Sequence, residues 1–407
     1  MVKRLGSVIL VLVMIFAIFV PVQAAVSPED CPHEKHDEHT LLCNECGTPI
    51  AHDYVDGKCT HCASKTNFIV TEVDPKRTAE NEKAGTVVSH DYDTRAYVTE
   101  EKLGLTDVFT QKRMNVYLPY GYEEGAAAGK QYNVLYLLPG GMANEDFWLD
   151  KTAVKNLLDN MIAEGLIEPI IVAMPTYAYR EGQFGGHEVT IDNPGDIDLL
   201  LDLFALELRE YVIPFVESKY STYADNANDI ANLQATRSHR AMAGFSAGGG
   251  CTYISGLQNN LDIFSYFGIF SSSMGRYNHV LPLADILSDS EGYGIDYMYN
   301  GNGTKDSSYE YHLPYYFDWV ATGAIDDNVN ACLVVKPEMD HNIGTSGIAD
   351  LYNALPMFFV TGKAGARSNG LSTRDIIIII AVVVVILAIA VFTLKHLSDK
   401  KKRKDQV

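Results

Sequence analysis

Ser246 stands in the run Gly244-Phe245-Ser246-Ala247-Gly248, directly after the strand-like Arg240-Ala-Met-Ala and before a helix-compatible stretch reaching Leu257. A serine on a sharp strand-to-helix turn projects its hydroxyl from the carboxyl end of the strand, and small neighbours avoid clashes in that turn. The next amide, that of Ala247, opens the helix and can stabilise an oxyanion. The pattern is that of an activated nucleophile.

Such a serine needs a base and an acid to orient it, and on this kind of turn both follow the serine in the chain. Ahead of the apolar carboxyl-terminal run, three histidines follow Ser246: His279, His312 and His341. His341 lies in Glu338-Met-Asp-His-Asn, just after the strand-like Ala331-Cys-Leu-Val-Val, so it falls on a loop at a strand end, where a general base belongs. Asp326, Asp327 and Asp340 are the acids considered. Asp340 is adjacent to His341 and too close in sequence to reach its ring edge. Asp326 follows Asp318-Trp-Val-Ala-Thr-Gly, read as a strand running into a loop, and is the assignment made here.

A second constellation is Cys43-Asn-Glu-Cys46 with Cys59-Thr-His-Cys62, a C-x2-C-x12-C-x2-C pattern. Each pair can turn both sulfurs toward one ion, and two pairs complete a tetrahedral thiolate site, so a structural zinc is expected. Two disulfides are the competing arrangement for an exported chain. Cys251 and Cys332 stand alone in apolar surroundings and read as buried thiols. No cofactor is expected for catalysis.

The elements that must position Ser246 alternate along residues 86–362. Met114 to Pro119 alternates as a strand, Val134 to Leu138 and Pro169 to Pro175 are continuous apolar runs, and Arg240 to Gly244 gives a further short strand. Helical spacing separates them at Ala153 to Gly165 and Leu199 to Tyr220. Continuous apolar strands alternating with helices predict a mainly parallel α/β sheet.

The chain has 407 residues and a net charge of −20, which argues against a nucleic-acid partner. That charge is segregated: residues 1–24 carry +2 and residues 375–407 carry +3, leaving −25 for the stretch between. Lys3 and Arg4, the apolar run Val8 to Val20 and the small-residue site ending at Ala24 read as a signal peptide over 1–24. Ile376 to Leu394 is uncharged for 19 residues, about 28 Å as a helix, enough for one bilayer crossing. The basic tail 395–407 is expected inside and the acidic body outside the cell membrane. Between these ends the reading is a Cys/His-rich zinc-ribbon-like module over 25–66, a polar linker over 67–85, the α/β domain over 86–362 and a tether over 363–375.

Residues 86–362 resemble the esterase D-like serine hydrolases, especially the feruloyl esterase and acetyl-xylan esterase branch. The resemblance is carried by MNVYLPYGY (114–122), YNVLYLLPGG with NEDFW (132–148), YVIPFVESKYSTYAD (211–225) and HRAMAGFSAGG (239–249). It continues through YFGIFSSSM (266–274), ATGAIDD (321–327) and the DH…NALPMFF block (340–359). It implies an α/β-hydrolase fold, His341 and Asp326 as partners of Ser246, and oxyanion amides at Ala247 and in the Gly141/Met142 turn. Pro139-Gly140 departs from the family's His-Gly, and Asn342 stands where an aromatic often follows the histidine. Trp148 and the loop from Tyr177 through Tyr179 to Gly186 are the expected substrate walls.

The expected activity is a cell-surface serine carboxylesterase acting on feruloyl or acetyl esters of extracellular polysaccharide. An acyltransferase on the same fold and a non-catalytic surface binding module are the alternatives.

Overall fold

Alternate residues of Val134–Leu138 face opposite ways, and both faces are apolar, so this strand must be covered on two sides. In the computed structural model Val134, Tyr136 and Leu138 pack into one core layer, while Leu135 and Leu137 pack into the other. The structure describes residues 69–193 and 195–360, together with Cys43 and the backbone of 54–55 and 58–59.

Eight strands form one sheet: β1 (Thr86–Arg95), β2 (Phe109–Leu118), β3 (Val134–Leu138), β4 (Ile171–Met174), β5 (Arg240–Phe245), β6 (Tyr266–Phe270), β7 (Tyr297–Gly303) and β8 (Ala331–Lys336). Their spatial order is β8-β7-β6-β5-β3-β4-β2-β1. The six strands from β8 to β4 are parallel, and β2 and β1 add antiparallel partners at one edge. This is an α/β-hydrolase fold with a mainly parallel sheet. Register pairs Leu138 with Gly244 and Phe245 with Phe270, so the carboxyl ends of β3, β5 and β6 share one rim.

Helices cover both faces, as a parallel sheet requires. On one side Leu157 of α1 (Val154–Ala163) and Leu351 of the later helix Ile348–Ala354 join Leu135 and Leu137. On the other, Phe204 of α2 (Asp196–Glu207), Cys251 of α3 (Ala247–Cys251) and Trp319 of α4 (Tyr309–Ala321) join Tyr136 and Leu138. The helix Ile348–Ala354 is α5.

Three expectations change. Asp318-Trp-Val-Ala, read as a strand, is the last turn of α4. The expected helix from Leu199 to Tyr220 is α2 continued by a π-helical turn, Leu208–Val212, and a further helical segment, Ile213–Lys219. Of the stretch 67–85 read as a linker, residues 69–85 lie against the domain: Asn160 Nδ2 donates to the carbonyls of Arg77 and Ala79 at 3.0 and 2.8 Å, and Val70 exchanges two hydrogen bonds with the Asn353 side chain.

The proposed signal peptide (1–24), the tether (363–375), the apolar span (376–394), the tail (395–407), Cys46 and Cys62 all lie outside the described residues. Cys43 is buried, and Tyr54–Val55 pairs antiparallel with Lys58–Cys59. Among the described residues, no helix is long and apolar enough to cross a membrane.

Candidate active site

Ser246 leaves β5 at φ 59° and ψ −118°, a conformation that costs a β-carbon-bearing residue energy and persists only where the surroundings enforce it. Two sets of hydrogen bonds do so. Its amide donates to Phe270 O on β6 at 2.8 Å, and its carbonyl accepts from the Gly249 and Gly250 amides at 3.0 and 3.2 Å, closing the first turn of α3. The flanking glycines are required by close approach. A Cβ on Gly244 would lie 2.4 Å from Gly248 O, and one on Gly248 would lie 2.4 Å from Pro139 O. Backbone cannot yield as a flexible side chain could.

His341 arrives from the loop after β8. Its Nε2 is 2.9 Å from Ser246 Oγ and its Nδ1 is 2.8 Å from Asp306 Oδ1. The ring packs on Phe245 with centroids 4.8 Å apart. A carboxylate only accepts, so Nδ1 carries the proton and Nε2 presents its lone pair to the serine hydroxyl. The Asp306 side chain is fully buried, whereas that of His341 is 32% exposed. Burial pushes the Asp306 carboxyl up, but hydrogen bonds from His341, the Ser308 hydroxyl and the Ser308 amide outweigh it and hold the group below the ordinary carboxylate range.

The acid on His341 is therefore Asp306, and the assignment of Asp326 is corrected. Asp326 is exposed and precedes β8, so it sits at the amino end of a strand, whereas His341 lies past the carboxyl end of the same strand. Asp306 follows the carboxyl end of β7. That strand, Tyr-Met-Tyr-Asn-Gly-Asn-Gly, lacks the apolar run that marks β3, so its following turn went unread. Its usable signal was Tyr297-Met-Tyr running into a glycine-rich turn ahead of Asp306-Ser-Ser. Asp327 is buried and accepts from Tyr316 Oη, and Asp340 is exposed. His279 pairs with Asp202, and His312 is buried between Asn300 and Asn302.

Ala247 is the first residue of α3, so its amide lies among those without a partner within the helix. Gly141 adopts φ 56°, and Met142 is 47% exposed. Gly140 lies beside the serine turn: a Cβ there would lie 3.2 Å from Phe245 O. The residue before the Gly141/Met142 turn therefore packs against the strand end that carries Ser246.

The substrate walls need revision. Trp148 is buried, its indole Nε1 donating to Leu138 O at 2.8 Å, and it packs edge-on to Phe270 in the core. Tyr177 is fully buried, with its hydroxyl on the carbonyls of Gly141 and Pro139. Tyr179 is half-buried and stacked on Phe184 at 5.7 Å, with the Lys112 ammonium 4.6 Å from its ring centroid. An aromatic residue near a glycine-rich loop looks the same in sequence whether it lines the cleft or supports it.

Cys251 and Cys332 are buried thiols, and burial pushes both up, Cys332 to about 12. Among the described residues no group of three or more His, Cys, Asp or Glu could hold a metal ion.

The family model described as "Putative esterase" matches residues 109–325, just over half of the chain, and the chain belongs to this family of serine ester hydrolases. Endo-1,4-beta-xylanase Y of Acetivibrio thermocellus is 40% identical over 163 residues, 40% of this chain and 13% of that protein. An endo-1,4-beta-xylanase/feruloyl esterase of Xylanibacter ruminicola is 32% identical over 196 residues, 47% of this chain and 23% of that protein. The chain thus spans less than a quarter of the length of either relative. A solved feruloyl esterase module of Clostridium thermocellum, a serine-to-alanine mutant complexed with sinapinate, superposes with a TM-score of 0.56 at 28% identity. That match covers 71% of this chain and 93% of the module.

Proposed function

We propose that this chain is a cell-surface serine carboxylesterase that removes acyl groups, feruloyl or acetyl, from extracellular polysaccharide through an acyl-enzyme. The observation that carries the reading is the line from Asp306 Oδ1 through the His341 ring to Ser246 Oγ, with contacts of 2.8 and 2.9 Å. In it, Ser246 Oγ attacks the ester carbonyl while His341 Nε2 takes the hydroxyl proton. Asp306 holds the imidazole tautomer and stabilises the imidazolium. The Ala247 amide and the amide of Met142, in the Gly141/Met142 turn, receive the oxyanion. His341 then protonates the departing sugar oxygen, which leaves the acyl group on Ser246. A water deprotonated by His341 releases the acid and restores the serine.

Sinapinate on a related module, and xylanases among the relatives, favour a hydroxycinnamoyl ester on a xylan-type polymer over acetyl. The test compares methyl ferulate, acetylated xylan and short aryl esters. Ser246→Ala should lose at least about 10⁴-fold in kcat on every ester turned over, and fluorophosphonate labelling should vanish. Full activity in Ser246→Ala overturns the mechanism.

The charge pattern supports an exported, acidic body anchored by the span 376–394, with residues 395–407 cytoplasmic. A protease added to intact cells should remove the esterase domain and spare a tag on the tail. The spacing of Cys43, Cys46, Cys59 and Cys62 supports a structural zinc held by four thiolates. Elemental analysis of the purified protein should find one zinc per chain, and four oxidised thiols without metal would replace zinc by disulfides.

A further inference from the structure

Tyr177 is fully buried beneath the Gly141/Met142 turn, and its hydroxyl donates to Gly141 O. Pro139 O lies farther away, at 3.3 Å. Desolvation pushes the phenol far above its ordinary range, so it stays a neutral donor at any working pH. Its single proton holds the nearer carbonyl.

Gly141 O and the Met142 N–H belong to one peptide unit. That unit is planar and trans, so the two groups point in opposite directions. A donor that pins the carbonyl from below therefore aims the Met142 amide away from Tyr177. The Ala143 amide closes the turn on Gly140 O at 3.2 Å, but such a bond is compatible with either flip of the central Gly141–Met142 peptide, and the Tyr177 hydroxyl selects one of them. Gly141 sits at φ 56° after another glycine, and Met142 is 47% exposed.

The neighbouring residue reinforces the arrangement. Thr176 Oγ1 donates to Ala143 O at 2.7 Å, so consecutive side chains at the carboxyl end of β4 hold two carbonyls of the 141–143 turn. Thr176 is itself fixed from behind, because the buried Lys112 Nζ donates to Thr176 O at 2.6 Å and pairs with Glu207 at 2.9 Å. The Tyr177 ring abuts Phe204 edge-on at 6.3 Å. The whole support is built of buried groups.

We propose that Tyr177 is a positioning residue for the oxyanion site, fixing the Gly141–Met142 peptide so that its amide is ready to receive the negative charge of the tetrahedral intermediate. The proposal rests on the esterase reading above and says what holds its second oxyanion donor in place. Donors aimed beforehand need no reorganisation when charge develops, which is why losing one costs a serine hydrolase roughly 10²–10³ in kcat. A peptide left unpinned still visits the productive orientation, so the expected loss is smaller, about 10- to 100-fold.

The test is Tyr177→Phe, which keeps the ring and removes only the hydroxyl, read by the rate at which Ser246 is labelled by an aryl fluorophosphonate. The phosphonyl oxygen occupies the oxyanion position, so labelling reports the site without depending on which ester is the natural substrate. Labelling and kcat on methyl ferulate should both fall about 10- to 100-fold, with KM within about twofold and ferulate affinity unchanged. Thr176→Val should give a smaller loss of the same kind, and it serves as the test if Tyr177→Phe does not fold. Unchanged labelling in the folded variant overturns the proposal, as does a loss shared equally by ferulate binding. If the parent protein is labelled but turns over no ester in the panel, the substrate reading fails while the labelling comparison still decides the role of Tyr177.

Discussion

Asp306 Oδ1 accepts from His341 Nδ1 at 2.8 Å across the carboxyl ends of the adjacent parallel strands β7 and β8. The same oxygen also accepts from the amide and hydroxyl of Ser308, at 2.7 and 2.6 Å. A buried acceptor held by two donors of its own turn cannot follow a moving ring, so Asp306 sets where the imidazole sits.

Exchanging the acids separates the two assignments. Asp306→Asn keeps the shape but leaves His341 in the wrong tautomer, and kcat should fall by roughly 10⁴. Asp326→Asn, on the exposed turn before β8, should stay within about twofold. Steady-state hydrolysis of an aryl ester by both variants gives the answer, and the reverse ranking would return the role to Asp326.

Strain at the nucleophile should be measurable as stability. At φ 59° and ψ −118° glycine is relaxed where alanine is not. Ser246→Gly should therefore be more stable than Ser246→Ala by about 1 kcal/mol, roughly 2 °C in Tm, with both inactive. Equal melting temperatures would mean that the turn is not strained.

Acid sensitivity should trace to His312. Burial lowers it to about 4, helped by Lys336 and opposed by Asp306. A histidine with a folded pKa below its unfolded value near 6.5 contributes stability that is complete above 6.5 and lost as pH falls toward 4. The loss should approach about 3 kcal/mol, and His312→Gln should flatten it in urea titrations at pH 7 and 4.5. The depressed carboxyl of Asp306 acts in the same direction but only below about 4, where its unfolded counterpart takes up a proton.

Beneath the histidine loop, Lys336 at the end of β8 forms an ion pair with Asp350 of α5, both fully buried. Burial raises the Asp350 carboxyl, with Lys336 opposing. Tyr299 Oη also donates to Asp350 Oδ1 at 2.9 Å, and a Cβ on Gly301 would lie 1.9 Å from that oxygen. Lys336→Met strands the carboxylate and should destabilise by about 3–5 kcal/mol in chemical denaturation. A much smaller loss would show that Asp350 is relieved of its charge by protonation or by water.

The sequence by itself determined what short-range rules govern. Glycines at 244 and 248 mark the serine turn because backbone packs 2.4 Å from where their Cβ atoms would be. The apolar run at Val134–Leu138 announces a strand buried on both faces, and the short strand Arg240–Phe245 leads into the serine turn. His341 was legible for the same reason, since it follows the apolar strand Ala331–Lys336. The tertiary structure alone decided the rest. Asp306 and Asp326 are both turn aspartates, and what distinguishes them is the end of the sheet on which each turn emerges, which depends on pairing between distant strands. Tyr177 likewise is an aromatic on a loop until the fold shows its hydroxyl under the Gly141 carbonyl. Strand periodicity is local and written residue by residue, whereas the facing of a carboxylate or a phenol toward its partner is set by where the sheet brings separate segments together.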